Sequence, residues 1–206
     1  MQPDRIPLFP LNVVLLPGEH LPLHIFEPRY RRMVRECLEN GHPFGMLLAL
    51  HGGIVRVGCT AEIELVTKHY EDGRMDILTT GRQPFRVVEL FHDDPLLEGS
   101  VDYLEDKGSA VSAAIRDKLV SLYETCHTLV FSGMPPQLDS SFSESLSYSV
   151  AAKLPLNLTW KQTILELRTE EERQERLVRY LGEWVLHLQK LGASRERSAG
   201  NGRDVN

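Results

Sequence analysis

The sequence predicts an α+β protein, with a β-rich first half of barrel or folded-sheet type and an all-helical second half. Short apolar runs separated by glycine and proline turns fill the chain up to Lys107, whereas apolar residues recur at helical spacing after Gly108. One helix, marked by its own start and stop residues, interrupts the strands. We expect a β-rich subdomain over residues 1–107, a helical bundle over 108–192 and a flexible tail over 193–206.

Each predicted strand is a short apolar or alternating run that ends at a turn. Asp72-Gly73 is a typical hairpin turn, and Gly52-Gly53 separates two apolar runs. Ala61, Ile63 and Leu65 alternate with Glu62 and Glu64, which is the period of a half-buried strand with its apolar side chains inside. The predicted strands are residues 6–9, 13–16, 44–50, 54–57, 61–66, 75–78, 85–91 and 97–104.

The helix inside the β-rich half is predicted between Glu27 and Gly41. Pro28 stands at its first position and Gly41 just past its end, an asymmetry typical of helix termini. Apolar residues at i, i+3, i+4, i+7 and i+8 form one stripe, made of Tyr30, Met33, Val34, Cys37 and Leu38.

Helical spacing dominates the second half. Apolar residues from Val111 to Leu129 predict a long amphipathic helix. Leu154 precedes a proline and ends a later helix, and Gly192 is expected to end the last one. Capping boxes predict three further helix starts, at Ser141 with Glu144, Thr159 with Gln162, and Thr169 with Glu172.

Composition and charge narrow the functional classes. The net charge is −6, whereas nucleic-acid-binding proteins usually carry a basic excess. The three cysteines lie far apart, which indicates buried thiols rather than a disulfide framework. The N-terminus lacks the apolar run of a signal peptide, and no apolar stretch reaches the ~20 residues that span a bilayer. We expect a cytoplasmic protein that does not contact membranes.

No motif predicts catalysis, and we expect neither a cofactor nor a metal. The glycine-rich phosphate cradle of ATPases does not occur in the sequence. Ser149 and Lys153 lie one helical turn apart, but an exposed polar helix face explains them better than a catalytic dyad. His20 and His24 flank a proline, so they do not share a helical face as metal ligands would. His92-Asp93-Asp94 is typical of a turn.

The stretch from Pro7 to Val34 resembles the opening of the amino-terminal domains of Lon proteases. The resemblance covers roughly residues 5–190. Its motifs, in order, are Pro7–Leu11, Leu16-Pro17-Gly18, Leu21–Tyr30, Val57–Ala61, Asp72-Gly73-Arg74, Thr80-Gly81, Phe85-Arg86-Val87, Lys161-Gln162, Leu165–Leu167 and Arg176-Leu177.

This resemblance implies a PUA-like β pseudo-barrel followed by a helical bundle, in a free-standing member that lacks the ATPase and protease domains. It implies a non-catalytic module that binds unfolded or specific protein clients, at a barrel edge or in the cleft between subdomains. The residues expected to bind peptide are Phe9, Pro10, Leu11, Phe26, Arg29, Tyr30 and Phe85. The alternative is an RNA-binding PUA-like module, whose basic residues would be Arg29, Arg31, Arg32 and Arg35.

One departure from the family concerns Pro84. Gln83-Pro84 stands where relatives often carry another basic residue. Since proline cannot donate a ladder hydrogen bond, we expect this strand to start late or to lie at an edge.

Overall fold

The computed structural model describes residues 4–50, 52–92, 96–108, 110–138 and 145–200, with side chains up to Leu191. These residues form a mixed α+β fold, which confirms the predicted class. The strands are β1 (Arg5–Leu11), β2 (His20–Ile25), β3 (Phe44–Leu50), β4 (Gly53–His69), β5 (Met75–Phe91) and β6 (Glu98–Tyr103). The helices are α1 (Pro28–Asn40), α2 (Ala113–Phe131), α3 (Leu146–Lys153), α4 (Leu158–Glu166) and α5 (Glu170–Gly200).

Contacts divide the chain into two compact units. The first unit consists of Met1–Lys107 together with Pro155–Arg168, and the second of Gly108–Leu154 together with Thr169–Asn206. Residue 107 thus ends the first long segment, close to the expected boundary, but the segment with α4 joins the strands rather than the other helices. The expected three-part domain division stays a prediction.

The strands of the first unit close into a ring. The sheet order is β2-β5-β4-β3-β1-β6, and β5 pairs in addition with β6. β1 and β3 are parallel, and the other pairs are antiparallel. Strand β2 pairs with β5 and is not part of this ring. The ring encloses a core of Ile6, Leu8, Leu47, Phe85, Val87 and Val101.

Strand β5 changes partner along its length. Residues 75–80 pair with β2, whereas residues 85–91 pair with β6. Pro84 lies between these halves, opposite Cys59, where the register against β4 shifts. The expectation that this strand starts late or lies at an edge is therefore wrong, because β5 runs through Pro84 and has partners on both sides. The missing N–H of Pro84 falls at this irregularity, and its carbonyl accepts a hydrogen bond from the Leu104 N–H at 2.8 Å.

The structure also corrects several predicted strands. Residues 13–16 form no strand; the Leu16 N–H donates to Glu19 Oε2 at 3.0 Å, and Gly18 turns the chain at φ 77°. The missed strand β2 follows, because Pro22 obscured the alternation of its apolar residues. Predicted strands 54–57 and 61–66 are one strand, β4, and 75–78 and 85–91 are both part of β5.

Helix α1 begins and ends as predicted. Glu27 is its N-cap, Pro28 its first residue, and Gly41 closes it at φ 65° in the left-handed region. Four residues of the predicted stripe are buried, and the ring of Tyr30 packs 4.1 Å from that of Phe9. Leu38, at the margin of the stripe, is instead 44% exposed.

Helix α4 is held to the strands of its own unit by polar side chains. Gln162 Nε2 donates to the Val57 carbonyl at 3.0 Å, and Lys161 Nζ lies 2.6 Å from Glu19 Oε1. The predicted capping box at Thr159 is wrong, because Asn157 caps the helix by accepting from the Trp160 N–H and Gln162 is engaged with β4.

In the second unit, α2 packs on α5, and α3 lies against the first turns of α5. The predicted N-cap at Thr169 is confirmed, since the Glu172 N–H donates to Thr169 Oγ1 at 3.2 Å, while the Glu172 carboxylate accepts from the Thr169 hydroxyl at 2.9 Å. The expected stop at Gly192 is wrong, because α5 continues to Gly200. One glycine costs a helix only about 1 kcal/mol, and the good helix formers that follow it offset that cost. The predicted box at Ser141 and residues 201–206 lie outside the described residues.

Arg173 is fully buried and joins α5 to the start of α3. Its Nε donates to Ser147 Oγ at 2.9 Å, and its Nη2 donates to Glu170 Oε2 at 2.9 Å. The guanidinium also lies 4.3 Å from the centre of the Tyr148 ring. Glu170 accepts from the Ser147 N–H at 2.9 Å as well. The buried charges of Arg173 and Glu170 thus compensate each other.

We predict that Arg173→Ala destabilises the second unit. Removal of the guanidinium leaves the Glu170 carboxylate largely buried without its cation, which costs about 3–5 kcal/mol of the free energy of unfolding. Urea denaturation followed by circular dichroism measures this loss. The exposed Arg179 of the same helix provides the control, and Arg179→Ala is expected to stay within about 0.5 kcal/mol of the parent. Equal free energies of unfolding for the two variants would contradict a stabilising role of the Arg173–Glu170 pair.

We predict that Gly81→Ala destabilises the first unit. A Cβ at this position would lie 2.2 Å from the Leu16 carbonyl oxygen, which belongs to the backbone and cannot rotate away. The forced backbone shift is expected to cost about 1–3 kcal/mol, measured by urea denaturation. Gly53→Ala is the matched control, since a Cβ there meets nothing within 4 Å and its φ is not positive. A loss no larger than that of the control would refute the steric argument.

Candidate functional site

One face of the sheet in the first unit exposes apolar side chains. The register places Pro22 of β2 opposite Leu78 of β5, and Leu78 opposite Leu65 of β4. Pro22 is exposed, Leu78 is half-buried and Leu65 is 47% exposed. Phe26 follows the end of β2, is 60% exposed, and stacks on His24 with 6.1 Å between the ring centres. We call Pro22, His24, Phe26, Leu65 and Leu78 the exposed sheet face.

Leu65 reaches this face because β4 contains a bulge. The register against β5 shifts between Ile63 and Leu65, so that Glu64 is an extra residue. An extra residue reverses the alternation of side chains beyond it. Glu64, which accepts a hydrogen bond from Thr80 Oγ1, and Leu65 are therefore both exposed, whereas strict alternation would have buried Leu65.

His24 connects the exposed sheet face to a polar cluster. Its Nδ1 lies 2.5 Å from Asp76 Oδ1, and the Tyr70 hydroxyl donates to Asp76 Oδ2 at 2.8 Å. The rings of His24 and Tyr70 meet edge to face, 5.6 Å between centres. Lys68 Nζ lies 4.5 Å from the centre of the Tyr70 ring. One carboxylate thus orients two aromatic rings, and the ring of His24 stacks on Phe26.

These hydrogen bonds lower the pKa of Asp76. The bond with His24 contributes most, followed by the bond from Tyr70. Hydrogen bonds to a carboxylate favour its charged form, so the group stays ionised to lower pH than an ordinary aspartate. The Asp76 carboxylate therefore keeps its own negative charge to lower pH beside the exposed sheet face.

We predict that His24→Ala raises the pKa of Asp76 toward the ordinary aspartate value of about 3.9, because the carboxylate loses its main hydrogen bond. An NMR titration of the side-chain carboxyl carbon measures this pKa in parent and variant. Asp72 is the internal control, since its pKa is lowered mainly by the backbone hydrogen bond from Arg74 and not by His24. An unchanged Asp76 titration would show that the His24 contact does not hold the carboxylate.

The structure separates the residues that the sequence predicted for peptide binding. Phe85 is fully buried in the ring, and Phe9 and Tyr30 are buried against each other, so their rings are not open to a client. Pro10 and Leu11 are half-buried at the end of β1. Of the two exposed members, Phe26 and Arg29, Phe26 lies on the exposed sheet face. Peptide binding by any of these residues stays a prediction.

Three of the four arginines of α1 that would serve RNA binding, Arg29, Arg31 and Arg32, have acidic or backbone partners. Arg29 Nη2 lies 2.8 Å from Glu27 Oε2, and Arg32 Nε lies 2.8 Å from Glu36 Oε1. Arg31 Nη1 donates to the Asp72 carbonyl at 2.6 Å. The two carboxylates, Glu27 and Glu36, offset part of the positive charge of α1, which does not favour an RNA-binding face there.

The side chains that Sequence analysis weighed for catalysis or metal binding form ordinary structural contacts. Lys153 Nζ donates to Ser149 Oγ at 3.4 Å, at the long end of the hydrogen-bond range. Burial raises the pKa of the Cys37 and Cys126 thiols to about 11 each, so both stay protonated and weakly nucleophilic at neutral pH. His20 Nδ1 lies 2.8 Å from Thr80 Oγ1.

The described residues contain neither a group of side chains suited to a metal ion nor a helix suited to cross a membrane. No group of three or more histidine, cysteine, aspartate or glutamate side chains within them is arranged to hold a metal ion. None of the helices among them combines the length and apolar character needed to cross a membrane. Of the His92-Asp93-Asp94 turn, the two aspartates lie outside the residues that the structure describes.

Sequence reasoning missed most of the exposed sheet face. A proline between two leucines at alternating positions, as at Leu21, Pro22 and Leu23, is the pattern of an edge strand and was the available signal. The exposure of Leu65 has no comparable signal, because the bulge that causes it depends on pairing between β4 and β5.

Comparisons with known proteins place this fold in context. The family model of the "ATP-dependent protease La (LON) substrate-binding domain" matches residues 5–183. The chain is 28% identical over 193 residues to the Lon protease of Parabacteroides distasonis, a match that covers 85% of this chain and 23% of that protein. It is also 28% identical over 195 residues to protein cereblon of Gallus gallus, covering 89% of this chain and 42% of that protein. The chain thus spans less than half the length of these relatives.

Two solved structures have the same fold. A Lon N-terminal domain protein from Xanthomonas campestris has a TM-score of 0.68 and 27% identity, over 85% of this chain and 98% of that one. The N-terminal domain of the Mycobacterium avium complex Lon protease has a TM-score of 0.61 at 14% identity, a likeness of fold alone. The likeness extends over nearly the whole of each solved domain.

Proposed function

This chain belongs to the family of Lon substrate-binding domains, and from this premise we propose that it binds unfolded segments of other proteins without catalysing a reaction. The observation that carries the proposal is the exposed sheet face, where Phe26 and Leu65 are 60% and 47% exposed beside Pro22. Adjacent exposed apolar side chains are typical of interaction surfaces. Unfolded segments expose the apolar residues that such a face would cover.

The proposal also covers the architecture of each unit, the absence of catalysis and the cellular location. The closed ring of strands supports a PUA-like barrel for the first unit, and the packing of α2 on α5 supports a helical bundle for the second. Protonated, buried thiols and the long Ser149–Lys153 contact support a non-catalytic role. A cytoplasmic location completes the proposal.

The test is fluorescence anisotropy of a labelled polypeptide that carboxymethylation of its reduced cysteines keeps unfolded. This polypeptide is titrated with the protein at low and at high salt. Apolar binding is expected to survive high salt, because salt screens charges but does not weaken apolar burial. Absence of saturable binding under both conditions would overturn the proposal. Binding that disappears at high salt would indicate charge-based recognition and would revive RNA as the ligand to examine.

We predict that Phe26→Ser raises the dissociation constant for this polypeptide about tenfold. Full burial of a phenylalanine side chain is worth about 1.5–3 kcal/mol, and Phe26 is already partly covered, so the lower end applies. Leu50→Ser is the matched control, because Leu50 is 53% exposed but lies at the end of β3, outside the exposed sheet face. Equal effects of the two substitutions would place the binding surface elsewhere.

A further inference from the structure

Strand β2 has an unpaired edge. Among the strands of the described residues, β2 pairs with β5 alone and stands at the end of the sheet order. A strand edge presents a row of backbone donors and acceptors that another strand can join. The short length of β2 and its central Pro22 limit this tendency without removing it.

The register decides which backbone groups face the free edge. Residues of an antiparallel strand direct their backbone groups alternately to either side. The Gly81 N–H donates to the Glu19 carbonyl at 3.0 Å, and Thr79 Oγ1 donates to the Leu21 carbonyl at 2.8 Å. Residues 19, 21, 23 and 25 therefore face β5. The even residues, His20, Pro22 and His24, direct their backbone groups to the free edge.

We propose that an extended segment of a client polypeptide adds to β2 as a further strand, held by the outward backbone groups of His20, Pro22 and His24. This inference rests on the proposed function and specifies how the client is held. His20 and His24 each supply an N–H and a carbonyl, whereas Pro22 supplies a carbonyl alone. The client therefore pairs with two donors and three acceptors of the edge.

A second copy of the chain fits this edge poorly. Symmetric antiparallel pairing of β2 with another β2 would put Pro22 opposite Pro22. Neither proline has an N–H, so the two central carbonyls would face each other without a donor. A client that carries an ordinary residue opposite Pro22 supplies the missing N–H. The edge thus selects a different polypeptide over a copy of itself.

The same register specifies the class of client. Each client residue that bonds to His20, Pro22 or His24 must keep its N–H, which excludes proline at those alternate positions. Opposite residues of two paired strands share a face, so these client side chains lie on the exposed sheet face. They meet Pro22 and Phe26 there. The client is a proline-poor segment with apolar residues at every second position.

Amide hydrogen exchange of the parent protein, followed by NMR, tests this arrangement. The probe is the same carboxymethylated polypeptide, added until anisotropy shows saturation. Strand addition is expected to slow exchange of the His20 and His24 amides at least about fivefold, as each gains a hydrogen bond. The Leu21 and Leu23 amides, which face β5, are the internal control and are expected to change little.

A pair of variants at one residue tests the backbone donor separately. His24→Pro removes the side chain and the outward N–H, whereas His24→Ala removes the side chain and keeps the N–H. Strand addition predicts that the proline variant binds the polypeptide at least about fivefold more weakly than the alanine variant. Should the proline variant not fold, the exchange measurement on the parent protein still decides.

The outcomes separate the two proposals. Protection of both amides, with the predicted difference between the variants, supports strand addition. Saturable binding without protection overturns strand addition and leaves the proposed function standing, with the client held by side chains. No binding of the polypeptide removes the proposed function itself. Protection without the polypeptide, together with a dimer mass by light scattering, would overturn the choice of client over a second copy.

Discussion

The fold of the first unit depends on the way strand β5 is shared between two pairings. Its first half pairs with β2 and its second half with β6, and β4 pairs with both halves. The β5–β6 pairing closes the ring, so β2 is left with one partner. The close approach of Gly81 to the Leu16 carbonyl lies at the point of exchange, where a side chain would not fit. A free edge at β2 is thus the consequence of closing the ring.

The composition of the exposed sheet face follows from this arrangement and from one bulge. Beyond the ring, β2, β5 and β4 form a short three-stranded region with one face exposed. Apolar Pro22 and Leu78 are neighbours there by register, and the extra residue Glu64 turns Leu65 onto the same face. The His24–Asp76–Tyr70 contacts then fix the aromatic side chains at one end. An apolar surface and an unpaired backbone edge consequently lie on the same strand.

The sequence predicted features that depend on neighbours along the chain and missed those that depend on pairing. The ends of α1 were predicted correctly, because Pro28 and Gly41 act within their own helix turn. Residues 13–16 were wrongly predicted as a strand. Residues 14–16 are buried, but the Leu16 N–H donates to the Glu19 side chain and not to a neighbouring strand. Leu65 was expected inside and is exposed because a bulge in β4 is a property of two strands. The resemblance to the family predicted the class of fold and of function, but it did not predict the exposed sheet face.

Recognition through the backbone of β2 would explain how one surface serves clients of varied sequence. Every residue except proline offers both a backbone N–H and a carbonyl. Strand addition therefore depends on an extended backbone more than on particular side chains. The apolar side chains of the exposed sheet face then add a preference for apolar residues at alternate positions. A folded protein seldom offers a free strand of this kind, because native proteins cover or interrupt their own edges. Strand addition at β2 therefore discriminates unfolded from folded polypeptides by the backbone alone, while Phe26 and its neighbours set the affinity.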